Sequence, residues 1–445
     1  MTDHLRGSVR RGYALGSVAT GTFGTVPGLL LLPYLTDTLG IAAAVAGFIV
    51  FLPKAWDVIL NPIAGRISDR SSSRRGRRRP FLLWGGLSLA VLFSFLFAGP
   101  TESALIGGTY VVALFLACAT AYAFFQVPYV AMPAEMTLDY RERTSLMTWR
   151  VAILAVAILI SGATAPILVN AYGGDPSVAG YRTMGVFVAV ILVVGVLGAY
   201  FGTAKAPEHA TRTQTGSLRD QLRLVAGERD FRILLITFVT QALGVGAMLA
   251  GVAYVAKDLL DNPGAASILF AAFVGPALLV TPLWEKFAVT RGKRAGYITA
   301  SWFLVAGGFG LFFAHNGMAI AVYIAAALVG IGYAGAQVFP MAMLPDVAAH
   351  DAKKTGENRI GVFTGVWTAG ETLGLAVGPG LFALILAVGG YVSSGSDEAV
   401  TQPDSALLAI AIGFSLVPAI LIALSLLILR HYDLDSKLAE ESNAA

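Results

Sequence analysis

Residues 126–136 read QVPYVAMPAEM, and 211 positions later residues 337–347 read QVFPMAMLPDV. With one residue slipped, Gln, Val, Pro, Ala, Met, Pro and an acid recur in the same order. Each stretch ends a long apolar run and is followed by a charged loop, DYRERT (139–144) in the first case and DAKKTGENR (351–359) in the second. A fainter echo pairs NPIAGRISDRSSSRRGRR (61–78) with TPLWEKFAVTRGKR (281–294). Ordered recurrence at two places is better explained by duplication than by chance similarity among Ala- and Val-rich helices. The chain therefore reads as one plan used twice.

Working outward from the repeat, the runs around it are too apolar for water. The 445-residue chain is 56% hydrophobic and 13% charged, with a mean hydropathy of +0.72. A spanning helix needs about 20 mostly apolar residues. Twelve stretches qualify: 12–36, 41–65, 81–101, 104–136, 146–170, 182–203, 231–257, 264–289, 296–315, 318–346, 360–391 and 405–430. The 50 glycines and 19 prolines fall largely inside them. That placement suits bundled membrane helices, where neighbours approach closely and freed backbone groups find partners. The longest polar interval, 204–230, follows six helices and precedes six. The predicted organisation is a six-helix bundle over 1–203, a cytoplasmic linker over 204–230 and a second bundle over 231–445. Parallel six-helix repeats of this kind define the major facilitator fold, an all-α membrane protein whose substrate site is expected near the bilayer midplane between the halves.

Basic residues are sorted by side. Arg6, Arg10 and Arg11, the run 66–79, Arg141 and Arg143, the cluster 205–232, the stretches 286–294 and 353–359, Arg430 and Lys437 alternate with a sparse opposite side that holds only Arg182 and Lys257 beside several acids. The positive-inside rule then puts both termini in the cytoplasm, as an even helix count requires, in a multi-pass protein of the cell membrane. No charged-then-apolar leader with a small-residue cleavage site precedes the first run, which is expected to remain as a helix. The net charge of +4 does not call for nucleic acid, because the basic run 70–80 is short and lies close to two helices. Lipid phosphates and helix-terminal carboxylates are its expected partners, Asp69 among them, with a gating role shared by Arg70, Arg141, Arg143, Asp346 and Arg359. The single Cys118 excludes an internal disulfide and a cysteine-clustered metal site. The five histidines lie in tails or near loops, and no HExxH, GxSxG or phosphate-binding GxxxxGK[ST] occurs, so neither an enzyme, a cofactor nor a self-contained ATP-driven pump is expected.

A charge at a helix centre costs about 2.5–3.5 kcal/mol on insertion scales, so each one there is a functional candidate. Lys54, Asp57 and Asn61 lie three and four apart in FLPKAWDVILNPIAG and so share a helix face. They are candidates for cation coupling, the plain alternative being that Lys54 and Asp57 only neutralise one another. Glu371 is a deep carboxyl in the eleventh run, either a proton carrier or a partner of Lys54 or Arg150. Arg150 offers a fork able to hold a carboxylate or hydroxyls bidentately, or it ties the fifth helix to the fourth. Gln126, Tyr129, Gln241 and Gln337 supply neutral polar groups, and Trp56, Trp149 and Trp367 could stack on a sugar face. Of these, Gln126, Tyr129, Arg150, Trp367 and Gln337 are the expected substrate contacts.

These residues resemble the glycoside-pentoside-hexuronide:cation symporter family, the melibiose-permease branch of the major facilitator superfamily. The resemblance covers most of the chain. It rests on YLTDTLG (34–40), KAWDVILNPIAGRISDRSSSRRGRRRPFLLWG (54–85), VPYVAMPAEMTLDYRERTSLMTWR (127–150) and LPDVAAHDAKKTGENRIGVFTGVWT (344–368). It implies a monomeric symporter of a small solute, a sugar or glycoside, driven by H⁺ or Na⁺. In such symporters an Asp-x-x-x-Asp pair on the second helix holds the cation; here Asp57 is followed by Asn61. Where sugar-carrying members bear acids on helices 1 and 4, this chain has Gly21 and Gln126, and Glu371 stands where a lysine is common. Coupling to H⁺ rather than Na⁺ is therefore expected, through Asp57 and Glu371 with Lys54 as counter-charge. The alternatives are a carrier of lysolipid-like amphiphiles, which the family's relatives include, and a non-transporting sensor or scaffold.

Overall fold

The computed structural model describes residues 5–71, 73, 76–137, 140–172, 177–207, 227–355, 360–395 and 400–434, apart from the side chains of 58, 62, 69, 134, 140, 141, 143, 144, 352–355, 360 and 361. Twelve helices among them are long and apolar enough to cross a membrane. They are α1 (Gly7–Asp37), α2 (Ala43–Asp69), α3 (Arg79–Leu96), α4 (Ala104–Met136), α5 (Tyr140–Val169) and α6 (Val178–Gly202), then α7 (Arg229–Leu259), α8 (Ala265–Arg291), α9 (Lys293–Asn316), α10 (Ala319–Thr355), α11 (Ile360–Val388) and α12 (Asp404–Leu429). Several run past the apolar stretch that predicts them. Thus α1 starts at Gly7 and α10 continues to Thr355, because helical hydrogen bonding goes on through the charged turns outside the apolar segment.

The chain divides into two compact units, Met1–Thr213 with Tyr391–Gln402, and Gln214–Gly390 with Pro403–Ala445. Much of the linker interval, residues 208–226, lies outside the described residues. The short segment 391–402 was expected in the second bundle. It belongs with the first because its backbone and side chains bond to the end of α1.

The duplication read from the sequence is repeated in the packing. In the first unit α1 packs on α5 and α6, α3 on α4 and α6, and α2 on α4. In the second, α7 packs on α11 and α12, α9 on α10 and α12, and α8 on α10. Adding six to each helix number converts one set of neighbours into the other. Prolines recur too, Pro128 and Pro133 inside α4 and Pro340 and Pro345 inside α10. The second unit carries two wider turns of π geometry, Val255–Leu259 closing α7 and Ile412–Leu416 within α12. Its helices are also pinned by a polar knot: Gln241 Nε2 on α7 donates to Ser301 Oγ on α9 (2.9 Å) and Ser425 Oγ on α12 (3.0 Å), all three buried. Such bonds are worth having where no water competes for the donors.

Candidate transport site

On α2 the expected trio separates by depth. Asp57 is turned into the bundle, 6% exposed, and its Oδ1 is buried without a hydrogen-bond partner. Lys54, one turn earlier, is half-buried and is the nearby charge that acts on it. Asn61 is exposed. Trp56 joins α2 to α4 by donating from Nε1 to Thr120 Oγ1 (3.1 Å).

A chain of polar side chains on α1, α4 and α5 leads away from that carboxylate. Tyr122 lies within electrostatic reach of both Asp57 and Arg150 and beside Thr20. Thr20 Oγ1 donates to Gln126 Oε1 (2.7 Å). Arg150 places its guanidinium 5.6 Å from the ring centre of Tyr129, a cation–π distance. Its Nη1 reaches only Met147 Sδ at 4.0 Å, and its Nε is buried without a partner. Arg150 is thus held over the ring of Tyr129 and within hydrogen-bonding reach of its hydroxyl, with Nε left unpartnered.

Tyr129, expected as a substrate contact, is fully buried and already committed. Its hydroxyl donates to the Tyr13 carbonyl (2.8 Å), shares a hydrogen bond with Ser17 Oγ (2.9 Å), and its ring stacks on Tyr13 at 4.7 Å. It is the platform under Arg150. Space for that ring comes from Gly16: a Cβ there would lie 2.8 Å from Tyr129 Cζ and closer still to Cε2. Gly16→Ala is therefore expected to destabilise the protein by about 1–3 kcal/mol, read as a lower melting midpoint in detergent; an unchanged midpoint would mean that α1 shifts at no cost. At Gly21 a Cβ would lie 3.0 Å from the Leu154 carbonyl oxygen of α5. That position faces a neighbouring backbone and has little room for an acidic side chain.

In the second unit Glu371 on α11 is half-buried and hydrogen-bonded by Gln337 of α10. Gln337 Nε2 also donates to Tyr333 Oη (3.0 Å), whose ring leans on Phe273 at 5.1 Å. Glu371 and Gln337, expected in separate roles, belong to one cluster. Trp367, expected to stack on a sugar, is 1% exposed and stacks instead on Phe238 of α7 at 4.3 Å. Its face is used in packing α11 against α7.

At the ends of the bundles the basic run meets a helix-terminal carboxylate, Glu135 at the end of α4, that the sequence reading did not name. Arg78 donates from Nε (2.8 Å) and Nη2 (2.7 Å) to Glu135 Oε1, and its Nη1 reaches Ser68 Oγ (3.2 Å). Arg79 Nη2 donates to the Tyr200 carbonyl at the end of α6 (2.9 Å). The second unit repeats both contacts. Lys293 pairs with Asp346 (2.5 Å), and Arg294 Nη2 donates to the Arg430 carbonyl at the end of α12 (2.6 Å). The recurring acid in QVPYVAMPAEM and QVFPMAMLPDV is the signal that could have identified Glu135. Arg10 adds an ion pair to Glu142 (3.6 Å) and a bond to Ser145 Oγ. Arg70 is exposed; the side chains of Asp69, Arg141 and Arg143, and all of Arg359, lie outside the described residues. No cluster of three or more His, Cys, Asp or Glu that could hold a metal ion occurs among the described residues.

Twelve spanning helices built as two copies of one packing plan, with carboxylates and a guanidinium inside the spans, define a multi-pass membrane transporter of the major facilitator type. A profile of the family described as MFS/sugar transport protein matches residues 12–436. The chain belongs to that family, the glycoside-pentoside-hexuronide:cation symporters. Among its relatives is YagG of Escherichia coli (strain K12), provisionally named a glycoside/cation symporter, 28% identical over 95% of this chain and 91% of that one. Another is the sodium-dependent lysophosphatidylcholine symporter 1-A of Danio rerio, 24% identical over 97% of this chain and 86% of that one. Among solved structures, a bacterial homologue of the human lysosomal transporter Spinster shares the fold, with a TM-score of 0.67 at 13% identity over 97% of this chain and 96% of that one.

Proposed function

We propose that the protein is a proton-coupled symporter of a small solute, a sugar or glycoside, working by alternating access as a monomer with both termini in the cytoplasm. Asp57 carries the reading: a carboxylate buried in a spanning helix with one oxygen that no donor reaches is a place for a cation that comes and goes. With Asn61 where relatives carry a second acid, Na⁺ loses an anionic ligand, and hard cations favour anionic oxygens; a proton needs only one carboxylate. Glu371 is the second coupling group and Lys54 the counter-charge of Asp57. Arg150, Gln126 and Gln337 hold the solute's hydroxyls, Tyr129 and Trp367 shape their setting, and the paired charges at the bundle ends, Arg78 with Glu135 and Lys293 with Asp346, serve gating.

The test is uptake into proteoliposomes across a panel of glycosides, pentosides and hexuronides, with pH and Na⁺ gradients imposed separately. One proton per solute across one pH unit supplies about 1.4 kcal/mol, enough for about tenfold accumulation. Accumulation under the pH gradient alone is expected; accumulation under Na⁺ alone would overturn proton coupling. A second reading, transport of a lysolipid-like amphiphile, is favoured by the relative in Danio rerio and by the tight packing at Gly21. Flux of lysophosphatidylcholine with no flux of any sugar would put it first.

A further inference from the structure

The duplication seen in QVPYVAMPAEM and QVFPMAMLPDV extends one helical turn upstream. Tyr122 and Gln126 on α4 recur 211 positions later as Tyr333 and Gln337 on α10. Four residues apart, each Tyr and its Gln share a helix face, and each pair stands beside a carboxylate carried by another helix. Tyr122 lies within electrostatic reach of Asp57 on α2, and Gln337 is hydrogen-bonded to Glu371 on α11. The helices that bring these acids are not counterparts in the repeat, since α2 corresponds to α8 and α11 to α5. The pair has been kept while the acid beside it has changed helix.

The two glutamines are wired in opposite senses. Gln126 uses its oxygen, which accepts from Thr20 Oγ1 at 2.7 Å. Gln337 uses its nitrogen, with Nε2 donating to Tyr333 Oη at 3.0 Å. An ionised carboxylate can only accept, so the bond from Gln337 to Glu371 takes the second N–H of the same nitrogen. Both N–H groups are then committed. α11 packs chiefly on α7 and also meets α10 and α12. On α7 no titratable side chain occurs between Arg232 and Tyr254, on α12 none between Asp404 and Arg430, and on α10 only Tyr333 between Tyr323 and Asp346. Gly370 and Gly374, which flank Glu371, face Leu235, Val239 and Ala242 of α7. Within its own unit Glu371 therefore has Tyr333 as its ionisable neighbour and Gln337 as its hydrogen-bond donor.

We propose that the protonation state of Glu371 decides whether Gln337 is available to the solute, and that Tyr333 is the positioning residue that anchors the amide. With Glu371 ionised, Gln337 is held at both N–H groups, by the phenol oxygen and by the carboxylate. When a proton binds a carboxyl oxygen of Glu371, the charge-assisted bond becomes an ordinary one. The N–H on that side is then free to turn to a solute hydroxyl, while the bond to Tyr333 keeps the amide in register. Proton and solute favour each other's binding by the same factor, as linkage requires. The inference rests on the symport reading and deepens it, by naming the amide through which proton and solute communicate.

The test uses the full chain in lipid nanodiscs, with isotope labelling confined to glutamine side-chain nitrogens. Nuclear magnetic resonance follows the amide signals of Gln337, identified by their loss in Gln337→Leu, from alkaline to acid pH. In the native protein the ratio of released to held amide is expected to rise by at least about tenfold, the shift that loss of one hydrogen bond to a charged group gives. Glu371→Leu should show the released position at every pH. Tyr333→Phe keeps the ring that leans on Phe273 but removes the acceptor, and should shrink the pH-dependent change severalfold, which a packing role alone would not do. Gln337 signals that coincide in the native protein and in Glu371→Leu at every pH would overturn the exchange, and a full change in Tyr333→Phe would remove Tyr333 from it. If the amide responds as expected while no glycoside, pentoside or hexuronide accumulates in proteoliposomes under a pH gradient, the failure belongs to the choice of solute and not to Gln337.

Discussion

Asp57→Asn is expected to abolish accumulation of solute against its gradient while leaving counterflow intact. The two assays separate because they ask different things of the carboxylate. Accumulation requires a proton to be bound on one side and released on the other in every cycle. Counterflow requires only that the loaded carrier reorient, and an amide mimics the protonated acid in shape and charge. With no proton stored, the accumulation ratio under one pH unit should fall from about tenfold to about one, a loss of about 1.4 kcal/mol of coupling. Lys54 adds an internal check. If it balances the charge of Asp57 during reorientation, Lys54→Met alone should slow exchange, and pairing it with Asp57→Asn should restore exchange without restoring accumulation. Unaltered uphill uptake by Asp57→Asn would remove this residue from coupling and leave Glu371 as the remaining carboxylate candidate.

The fold was legible in the sequence because its determinants are long and redundant: twelve apolar runs, and a repeat anchored by the 126–136 and 337–347 stretches. The neighbourhoods within each unit then follow the same duplication, α3 on α4 as α9 on α10. The candidate site was legible only in part, for a reason particular to lipid. In water a helix declares its buried face by the contrast of apolar with polar. A spanning helix is apolar on both its lipid side and its packed side, so the sequence does not say which way an aromatic ring faces. Tyr129 and Trp367 were accordingly expected to meet solute, whereas the one stacks on Tyr13 and the other on Phe238. Charges are more legible, since each one must find a reason to be there. Asp57 and Glu371 stood out from sequence, and both occupy partly or wholly buried sites. Which charge meets which is a different matter: Arg78 reaches Glu135 across 57 residues, a contact fixed by how α3 packs on α4.

That pair supports the second large expectation, that removing either partner alone costs far more than removing both. Arg78 and Glu135 are each more than nine-tenths buried at the side chain, and both Nε and Nη2 converge on Oε1. Deleting Arg78 leaves Glu135 only the more exposed Arg77, 4.0 Å away, and deleting Glu135 takes from Arg78 its buried carboxylate partner; breaking a buried pair from one side typically costs about 3–5 kcal/mol, whereas replacing the pair with well-packed apolar residues is often neutral. Arg78→Ala and Glu135→Ala should therefore each lower stability in detergent by that order, and Arg78→Leu with Glu135→Leu should recover most of it. Arg78→Lys should recover little, because an ammonium cannot give two donors to Oε1 and a third to Ser68 Oγ. The corresponding pair in the second unit sets the contrast. Lys293 and Asp346 are 36% and 28% exposed at the side chain, so water screens what they would lose, and Asp346→Asn should cost only about 0–1 kcal/mol. Equal losses at the two pairs would mean that exposure does not govern their worth, and that something beyond the ion pair, such as the bond from Lys293 to the Ala342 carbonyl, holds α9 to α10.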